Sequence, residues 1–528
     1  MEKKTENIVL FFLFIFSLYC SLIIGVTWDE PYHYLNGLNR VNYLFSLGKY
    51  EYRDILTLEY FPGFYDTITA FITIILPKKY EVDIHHIINL IFSLGTIFGI
   101  AHITKVIFNK KVSKIVFLIL FFNPIFFGHM SMNPKDPLIA FANVWATFFI
   151  IKYLQTQFIE KRRKYFSLLI GIFIGFGIGI RVVFLATLLP VFILIFLDFF
   201  FLKKIISKNF SFIKFFKDFI KVFLISYFIM VIFWPNVHPN IFILPIKMIL
   251  IYLNDFNPGS YWGLLNGEFY RTSNTPKLYL VKNLFYKLPE YILLTYLMFI
   301  FILFKEQKFF NINFKFFNQK IIILVFIIIF PIIISFFVAV KIFDGLRYYL
   351  FLLPYLSIIP GLTIYYLFCN SQYFINKLFI FLLLASISFF TFNFFSLTPY
   401  QYTYLNIFNG KFSEASSRFE NDYWGSSIKE LVNKIEKQVI FKENKNYKIA
   451  FCGLNHSIGS HYLKKIKNFR FIKTSRDGDY DFIIMTNRHN GKVHHKKNEV
   501  KTCFDSYKGK NILSVTRKGL VLSTIRSK

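Results

Sequence analysis

Long apolar segments constrain the fold of this 528-residue chain more than any other feature. Hydrophobic residues make up 55% of the sequence, and a helix of about 20 apolar residues can cross a bilayer. We therefore predict an α-helical polytopic membrane protein with about eleven transmembrane helices. The predicted helices cover residues 7–26, 85–107, 112–128, 136–154, 165–181, 183–202, 216–235, 289–305, 320–340, 347–369 and 375–396.

Basic residues between these segments predict their orientation. Lysine and arginine cluster in the second, fourth, sixth and eighth connections, and such loops stay in the cytoplasm. The N-terminus is then cytoplasmic, whereas the long loops 27–84 and 236–288 and the tail 397–528 are extracytoplasmic. The net charge of +31 follows from this topology, so we predict no nucleic-acid partner. The clusters include Lys161, Arg162, Arg163 and Lys164 in the fourth connection and Lys203, Lys204, Lys208 and Lys214 in the sixth.

Residues 165–202 decide the orientation of everything downstream. They form one apolar stretch that is too long for a single span, so we predict two helices that separate near Arg181. A single helix would place the tail on the opposite side of the membrane. The glycines between Gly171 and Gly179 lie inside a predicted span, which indicates helix packing and not nucleotide binding.

Loop 27–84 and the tail also contain regular patterns. Apolar residues at helical spacing predict two interfacial helices, one over 32–47 and one over 64–77. Short strands and a helix predict a small α/β domain in the tail. Cys452 and Cys503 can pair there if the compartment is oxidising. The predicted strands cover 448–454, 469–473, 481–485, 511–515 and 520–525, and the predicted helix covers 461–466.

Acidic residues at helix boundaries are the candidates for catalysis. Asp29 and Glu30 follow the first apolar segment, and Asp136 begins the fourth. Carboxylates are costly beside lipid and usually have a function there, such as general base catalysis. Asp29 lies two residues before Pro31, and Asp136 lies directly before Pro137. Both are at a predicted helix start, where an acid can cap the helix. Both interpretations remain open for these two residues.

Arg181, Lys341 and Arg347 are cations at the predicted outer face. A guanidinium can bind two phosphate oxygens at once, although a lone arginine at this level is also a common interfacial anchor. Three cations on the face that holds the acids favour a phosphate site. His33 and Tyr348 lie beside these motifs and complete the predicted substrate-binding set. We find no histidine spacing typical of a metal site and predict none.

The order and spacing of these motifs resemble a known family. Asp29-Glu30, the two amphipathic segments behind it, and Asp136-Pro137-Leu138 resemble membrane glycosyltransferases of the C-type (GT-C) fold, over roughly residues 1–370. The closest resemblance is to family 39-like enzymes, which include protein O-mannosyltransferases and bacterial lipid A aminoarabinose transferases. It implies a hexosyl or pentosyl transferase that takes a sugar from a polyprenyl-phosphate carrier and requires no further cofactor. It also implies that Asp29 is the base, supported by Glu30 and Asp136, and that Arg347 binds the carrier phosphate.

We therefore predict a glycosyltransferase domain over 1–396 and an extracytoplasmic α/β domain over 397–528, in the plasma (inner) membrane. Its predicted partners are membrane lipids, a lipid-linked sugar donor, and a glycan, lipid or protein acceptor. One alternative is a transporter or flippase for lipid-linked glycans, which needs polar residues in the middle of its helices. Another is a ligase-like enzyme, which would carry its basic site in one long late outer loop.

Overall fold

The computed structural model describes residues 2–53, 55, 58–197, 211–254, 261–338, 341–438, 445–467, 469–491 and 496–528. The end of the predicted helix 183–202 lies outside these residues, as do Lys203, Lys204 and Lys208 of the sixth connection. Helices dominate the chain up to Ser396, and its C-terminal part contains a five-stranded sheet.

The first half of the chain is helical. Helices α2 and α3 coincide with the two amphipathic segments predicted in loop 27–84. The helices are α1 (Glu2–Ile23), α2 (Glu30–Phe45), α3 (Phe64–Ile75), α4 (Glu81–Ile107), α5 (Lys110–Phe121), α6 (Pro124–His129), α7 (Asp136–Thr156), α8 (Glu160–Ile180), α9 (Phe184–Leu197) and α10 (Phe212–Ile232).

The described residues of the second half contain a hairpin and seven more helices before the tail. The hairpin lies in the predicted outer loop 236–288, and a short 3-10 turn, Arg347–Leu352, leads into α15. The elements are α11 (Leu244–Asn254), β1 (Trp262–Leu265), β2 (Glu268–Arg271), α12 (Tyr279–Lys287), α13 (Glu290–Asn313), α14 (Phe317–Phe337), α15 (Leu353–Leu356), α16 (Ile358–Cys369) and α17 (Phe374–Ser396).

Among the described residues, seven helices are long and apolar enough to cross a membrane. An eighth is reached if α12 and α13, which meet at a bend of 105°, form one span. All eleven predicted segments contain helix. Two of the others fall short because α9 has 14 described residues and because residues 112–128 divide into α5 and α6 at Asn123-Pro124. The first half of α10 carries four charged residues, which lowers its hydropathy.

The predicted break near Arg181 is confirmed. Helix α8 ends at Ile180, Arg181 is extended, and α9 begins three residues later. The glycines of α8 allow close packing against α10, as predicted. A Cβ on Gly171 would lie 2.9 Å from Ile225 Cβ, and one on Gly175 would lie 2.8 Å from Ile229 Cδ1. Larger residues at these two positions would push the helices apart.

The tail contains the predicted α/β unit. Strand order is β4-β3-β5-β7-β6, with β3 parallel to β4 and β5, and with β7 antiparallel to β5 and β6. Cys452 and Cys503 form a disulfide. The elements are α18 (Ile428–Lys437), β3 (Asn446–Cys452), α19 (His456–Leu463), β4 (Arg470–Lys473), β5 (Phe482–Thr486), α20 (Cys503–Ser506), β6 (Lys510–Arg517) and β7 (Leu520–Ser527).

The tail docks directly onto the membrane domain. Tyr400, Tyr402 and Tyr404 are buried immediately after α17, and one continuous apolar core joins them to α18. On the other side, the backbone N–H of Val26 donates to the Tyr462 hydroxyl (2.8 Å), and Asn455 Nδ2 donates to the Tyr32 hydroxyl (2.9 Å). The tail therefore packs against loop 27–84, the loop that carries Asp29.

Candidate functional site

Asp29 is the accessible acid of the site. It precedes α2, and 48% of its side chain is exposed. Within the described part of the chain its carboxylate makes no capping hydrogen bond to α2, and Oδ2 instead lies 3.5 Å from Nη1 of Arg347. The capping explanation therefore does not account for this side chain. An exposed carboxylate at a helix start is free to receive a proton from a bound molecule.

Arg347 is the buried cation that faces it. Nη1 donates to the Tyr423 hydroxyl (2.8 Å), and Nη2 donates to the Tyr348 hydroxyl (2.7 Å). The guanidinium also lies 4.6 Å from the ring centres of Phe343 and Tyr348. Arg347 begins the segment Arg347–Cys369, which is the most deeply buried of the candidate spans among the described residues. Arg347 is thus fixed in place and not a side chain that reaches toward lipid headgroups.

Asp136 and Arg181 form a second pair of opposite charge. Arg181 Nη1 lies 3.2 Å from Asp136 Oδ1, while Asp136 Oδ2 accepts a hydrogen bond from Asn133 Nδ2 at 2.8 Å. Arg181 also packs over the ring of Tyr348, 5.5 Å from its centre. Tyr348 therefore contacts both arginines, and the two ion pairs belong to one site.

Lys135 is a further cation between these pairs, and the sequence-based site did not include it. Its Nζ lies 4.3 Å from the ring centre of Phe61. Burial and the nearby Arg181 lower the pKa of Lys135 to about 7, whereas the carboxylates of Asp66, Asp29 and Asp136 oppose that shift. Its position before Asp136 was visible in the sequence, but nothing local indicated that the charges of Asp29 and Asp66 also act on it.

Glu30 and His33 lie on the buried side of α2. Glu30 accepts hydrogen bonds from the Thr27 N–H (2.5 Å) and the Tyr34 hydroxyl (3.2 Å), and its Oε1 lies 2.8 Å from His86 Nε2. His33 Nδ1 lies 3.0 Å from Asp66 Oδ2. The structure separates both residues from the exposed Asp29, and their contacts hold α2 against α3 and α4. A catalytic role for Glu30 and a substrate-binding role for His33 stay predictions.

Lys341 is exposed, in contrast to Arg347 and Arg181. Tyr261, from the loop before β1, lies close to the site instead. Burial raises the pKa of the Tyr261 hydroxyl, and the Asp29 carboxylate adds to this effect. The Tyr261 ring is 5.7 Å from that of Phe343, which in turn packs against Tyr348 at 5.9 Å. Aromatic side chains thus border the space between Asp29 and the arginines.

The tail supplies two more aromatic residues to this site. Tyr423 contacts Arg347, and Trp424 packs edge-on against Trp28 at 5.2 Å, next to Asp29. Both residues belong to the acidic-aromatic segment 418–425. The contacts show that it docks the tail and reaches the site in doing so.

Among the described residues, no group of three or more histidine, cysteine, aspartate or glutamate side chains is arranged to hold a metal ion. The charges of the site include Asp29 and Asp136 on the acidic side and Arg347, Arg181 and Lys135 on the basic side. Such a site can hold an anionic group on its cations and accept a proton on its exposed acid.

No family model and no curated protein matches the sequence. Solved structures do match. ArnT from Cupriavidus metallidurans in the apo state has a TM-score of 0.51 and 11% sequence identity, covering 99% of this chain and 98% of ArnT. The same protein bound to undecaprenyl phosphate gives a TM-score of 0.49 at 11% identity, with the same coverage. The apo oligosaccharyltransferase from Archaeoglobus fulgidus gives 0.48 at 11% identity, covering 90% of this chain and 69% of that one.

The first of these matches establishes the fold. The chain shares its architecture with ArnT along nearly the whole length of both proteins. The predicted polytopic GT-C fold with a small C-terminal α/β unit is therefore confirmed, although an identity of 11% says nothing about individual residues.

Proposed function

We propose that this protein is a membrane glycosyltransferase that moves a sugar from a polyprenyl-phosphate carrier to an acceptor hydroxyl. The observation that carries the proposal is the exposed Asp29 carboxylate 3.5 Å from the buried Arg347 guanidinium. The GT-C fold shared with ArnT supports it independently. The structure of ArnT bound to undecaprenyl phosphate makes a sugar linked to a carrier of this class the first donor to test.

The charges fit the bond changes of such a transfer. The acceptor oxygen forms a bond to the anomeric carbon, and its proton passes to Asp29. The bond between the anomeric carbon and the phosphate oxygen breaks, and its electron pair leaves with the carrier phosphate. Arg347, Arg181 and Lys135 stabilise the negative charge that develops there. Asp136 keeps Arg181 in place through the ion pair at 3.2 Å.

Two observations support a site on the outer face of the membrane. Tyr423 contacts Arg347, so the tail and the active site lie on the same side. The tail contains the Cys452–Cys503 disulfide, and disulfides persist in oxidising compartments outside the cytoplasm. Together with the basic even-numbered connections, this supports a site on the outer face of the inner membrane and a cytoplasmic N-terminus.

The transporter alternative receives less support. Asn143 and Thr147 are polar residues within α7, where a passage for a glycan would need them. The Tyr355 hydroxyl donates to Asn143 Oδ1 at 2.7 Å and lies 3.0 Å from the Thr147 hydroxyl, which can donate to it in turn, and both residues are buried. Their polar groups are therefore satisfied by the protein itself.

The decisive experiment replaces Asp29 with asparagine. Asp29→Asn removes the proton acceptor but keeps the side-chain volume, so donor binding and folding should be retained. We expect the transfer rate to fall by about 100-fold or more, the usual contribution of general base catalysis. The measurement is release of the carrier phosphate by purified protein and the composition of envelope glycans in cells. Turnover at the wild-type rate would refute the proposed mechanism.

A further inference from the structure

A buried ionic cluster connects the tail to the loop that carries Arg347. Asp344 precedes Arg347 by three residues, and one of its oxygens pairs with Nη1 of Arg488 from the tail. Arg488 Nη2 also lies 3.3 Å from Glu420 Oε1, and Glu420 Oε2 accepts a hydrogen bond from the Asp344 N–H at 2.8 Å. The side chains of all three residues are at least nine-tenths buried. Removing one partner would leave a buried charge unpaired, which is costly.

Asp344 needs such support because of its backbone. Its φ is +60°, and that of Gly345 is +66°. Glycine adopts this left-handed conformation readily, whereas an aspartate does so at a steric cost. The Asp344 carboxylate is held from two sides, by Arg488 and by the indole N–H of Trp424. Both of these side chains belong to the tail.

The turn at Asp344 and Gly345 determines the position of Arg347. The second carboxylate oxygen of Asp344 lies 3.7 Å from Nη1 of Arg347, the nitrogen that faces Asp29. Arg488 also lies flat over Trp424, 3.8 Å from its ring centre, so the two tail residues brace each other. A chain of contacts therefore runs from Arg488 through Asp344 to the guanidinium in the active site.

The ionic cluster also borders a small cavity and a second cation. A polar cavity of about 20 Å³, enough for one water molecule, is lined by Lys287, Asp344, Glu420 and Arg488. The Lys287 side chain also approaches Gly345 closely. Two tail residues, Glu420 and Arg488, thus lie against the turn that carries Asp344.

We propose that Arg488 is a positioning residue for the donor-phosphate site, and that the tail acts through it to hold Arg347 opposite Asp29. This rests on the proposed function, in which Arg347 binds the carrier phosphate. It deepens that function by making the C-terminal domain a required part of the active site. A tail that served only to bind an acceptor or to stabilise the protein would not influence donor binding through Arg347.

The test measures binding of undecaprenyl phosphate to purified full-length protein. Arg488→Met removes both ion pairs, and we expect it to weaken binding by about tenfold or more, the effect of losing one well-placed charged contact. Arg517→Met is the matched control. Arg517 lies in the same domain and pairs with Glu430 at 2.7 Å, yet it contacts the end of α17 and not Arg347. It should leave binding within about twofold of wild type.

A second variant covers the case in which Arg488→Met does not fold. Trp424→Phe removes the hydrogen bond to Asp344 but leaves a ring under Arg488 and no unpaired charge. It should weaken binding by about threefold to tenfold, the effect of one lost hydrogen bond.

Non-additivity separates positioning from general destabilisation. In an Arg347→Ala background, neither Arg488→Met nor Trp424→Phe should reduce binding further, because the group they position is already gone. Additive losses, or unchanged binding in both single variants, would overturn the inference. If wild-type protein itself does not bind undecaprenyl phosphate, the proposed function fails and not merely the role of Arg488.

Discussion

Nη1 of Arg347 lies 3.5 Å from Oδ2 of Asp29, although 318 residues separate them in the chain. The pair combines two different environments. Arg347 exposes 6% of its side chain and is held by two tyrosine hydroxyls, whereas Asp29 exposes 48%. The cation is fixed before any ligand arrives, and the acid remains open to one. Preorganised charge next to an accessible base is the arrangement that transfer from a phosphate leaving group requires.

Replacement of Arg347 should weaken donor binding, and Arg347→Ala should weaken it more than Arg347→Lys. Arg347→Lys keeps the charge but not the planar fork that meets Tyr348, Tyr423 and a phosphate together. Arg347→Ala removes the charge as well, and we expect it to cost about 1.5–3 kcal/mol, or roughly 10- to 150-fold in affinity. Affinity for undecaprenyl phosphate and turnover should be measured side by side. Equal affinity in wild type and both variants would reduce Arg347 to a structural residue.

Glu30 should behave differently from its neighbour Asp29. Glu30→Gln keeps the shape but weakens the hydrogen bonds with Thr27, Tyr34 and His86, so it should destabilise the protein by about 1–3 kcal/mol. Asp29→Asn should leave thermal stability nearly unchanged, because its carboxylate is half exposed. Thermal unfolding of both variants in the same detergent tests the contrast. The reverse ranking would show that Glu30 is not an anchor of α2.

The sequence predicted the helices and one half of the site because both depend on local patterns. Apolar segments and the break near Arg181 are visible in a window of twenty residues, and so is an acid at a helix start. Local patterns could not show which of Asp29 and Glu30 faces the site. Adjacent residues on a helix point about 100° apart, so only one of them can face the site. Which one does is decided by the docking of α2 on α3 and α4.

Other parts of the site depend on contacts between distant segments. Tyr423 and Trp424 reach Arg347 and Trp28 only because the whole tail docks on loop 27–84. Lys341 carries the same charge as Arg347. It lies on the surface before the turn at Asp344, whereas Arg347 follows that turn and is buried. Nothing within either segment specifies these arrangements.

The predicted orientation of the chain can be tested by labelling introduced cysteines with an impermeant maleimide. Cys20→Ala and Cys369→Ser would remove the free thiols and keep the disulfide. In intact cells, Tyr50→Cys in loop 27–84 and Ile472→Cys in the tail should react, because both positions are exposed and are predicted to lie on the outer side.

Phe158→Cys provides the control for this experiment. It is exposed in the connection between α7 and α8, whose basic residues predict a cytoplasmic location. It should react only after the membrane is permeabilised. Labelling of Phe158→Cys but not of Ile472→Cys in intact cells would invert the topology and would place the disulfide in the cytoplasm, against its chemistry.

Lys135 should make donor binding depend on pH. Burial and Arg181 lower its pKa to about 7, so its charge is present below that pH and is lost above it. A sugar linked to a polyprenyl phosphate is a phosphodiester, which keeps one negative charge throughout this range. Affinity for such a donor analogue should therefore fall by about tenfold as the pH rises from about 6 to about 8, because one charged contact disappears.

Two substitutions of Lys135 assign this effect to its own titration. Lys135→Arg stays charged at every pH used, so its affinity curve should be flat near the level that wild type reaches at low pH. Lys135→Met should also be flat, but near the level of wild type at high pH. Lys49→Met, at an exposed position in loop 27–84, should retain the wild-type slope. If Lys135→Arg and Lys135→Met both keep that slope, the titrating group lies elsewhere and Lys135 does not contact the donor.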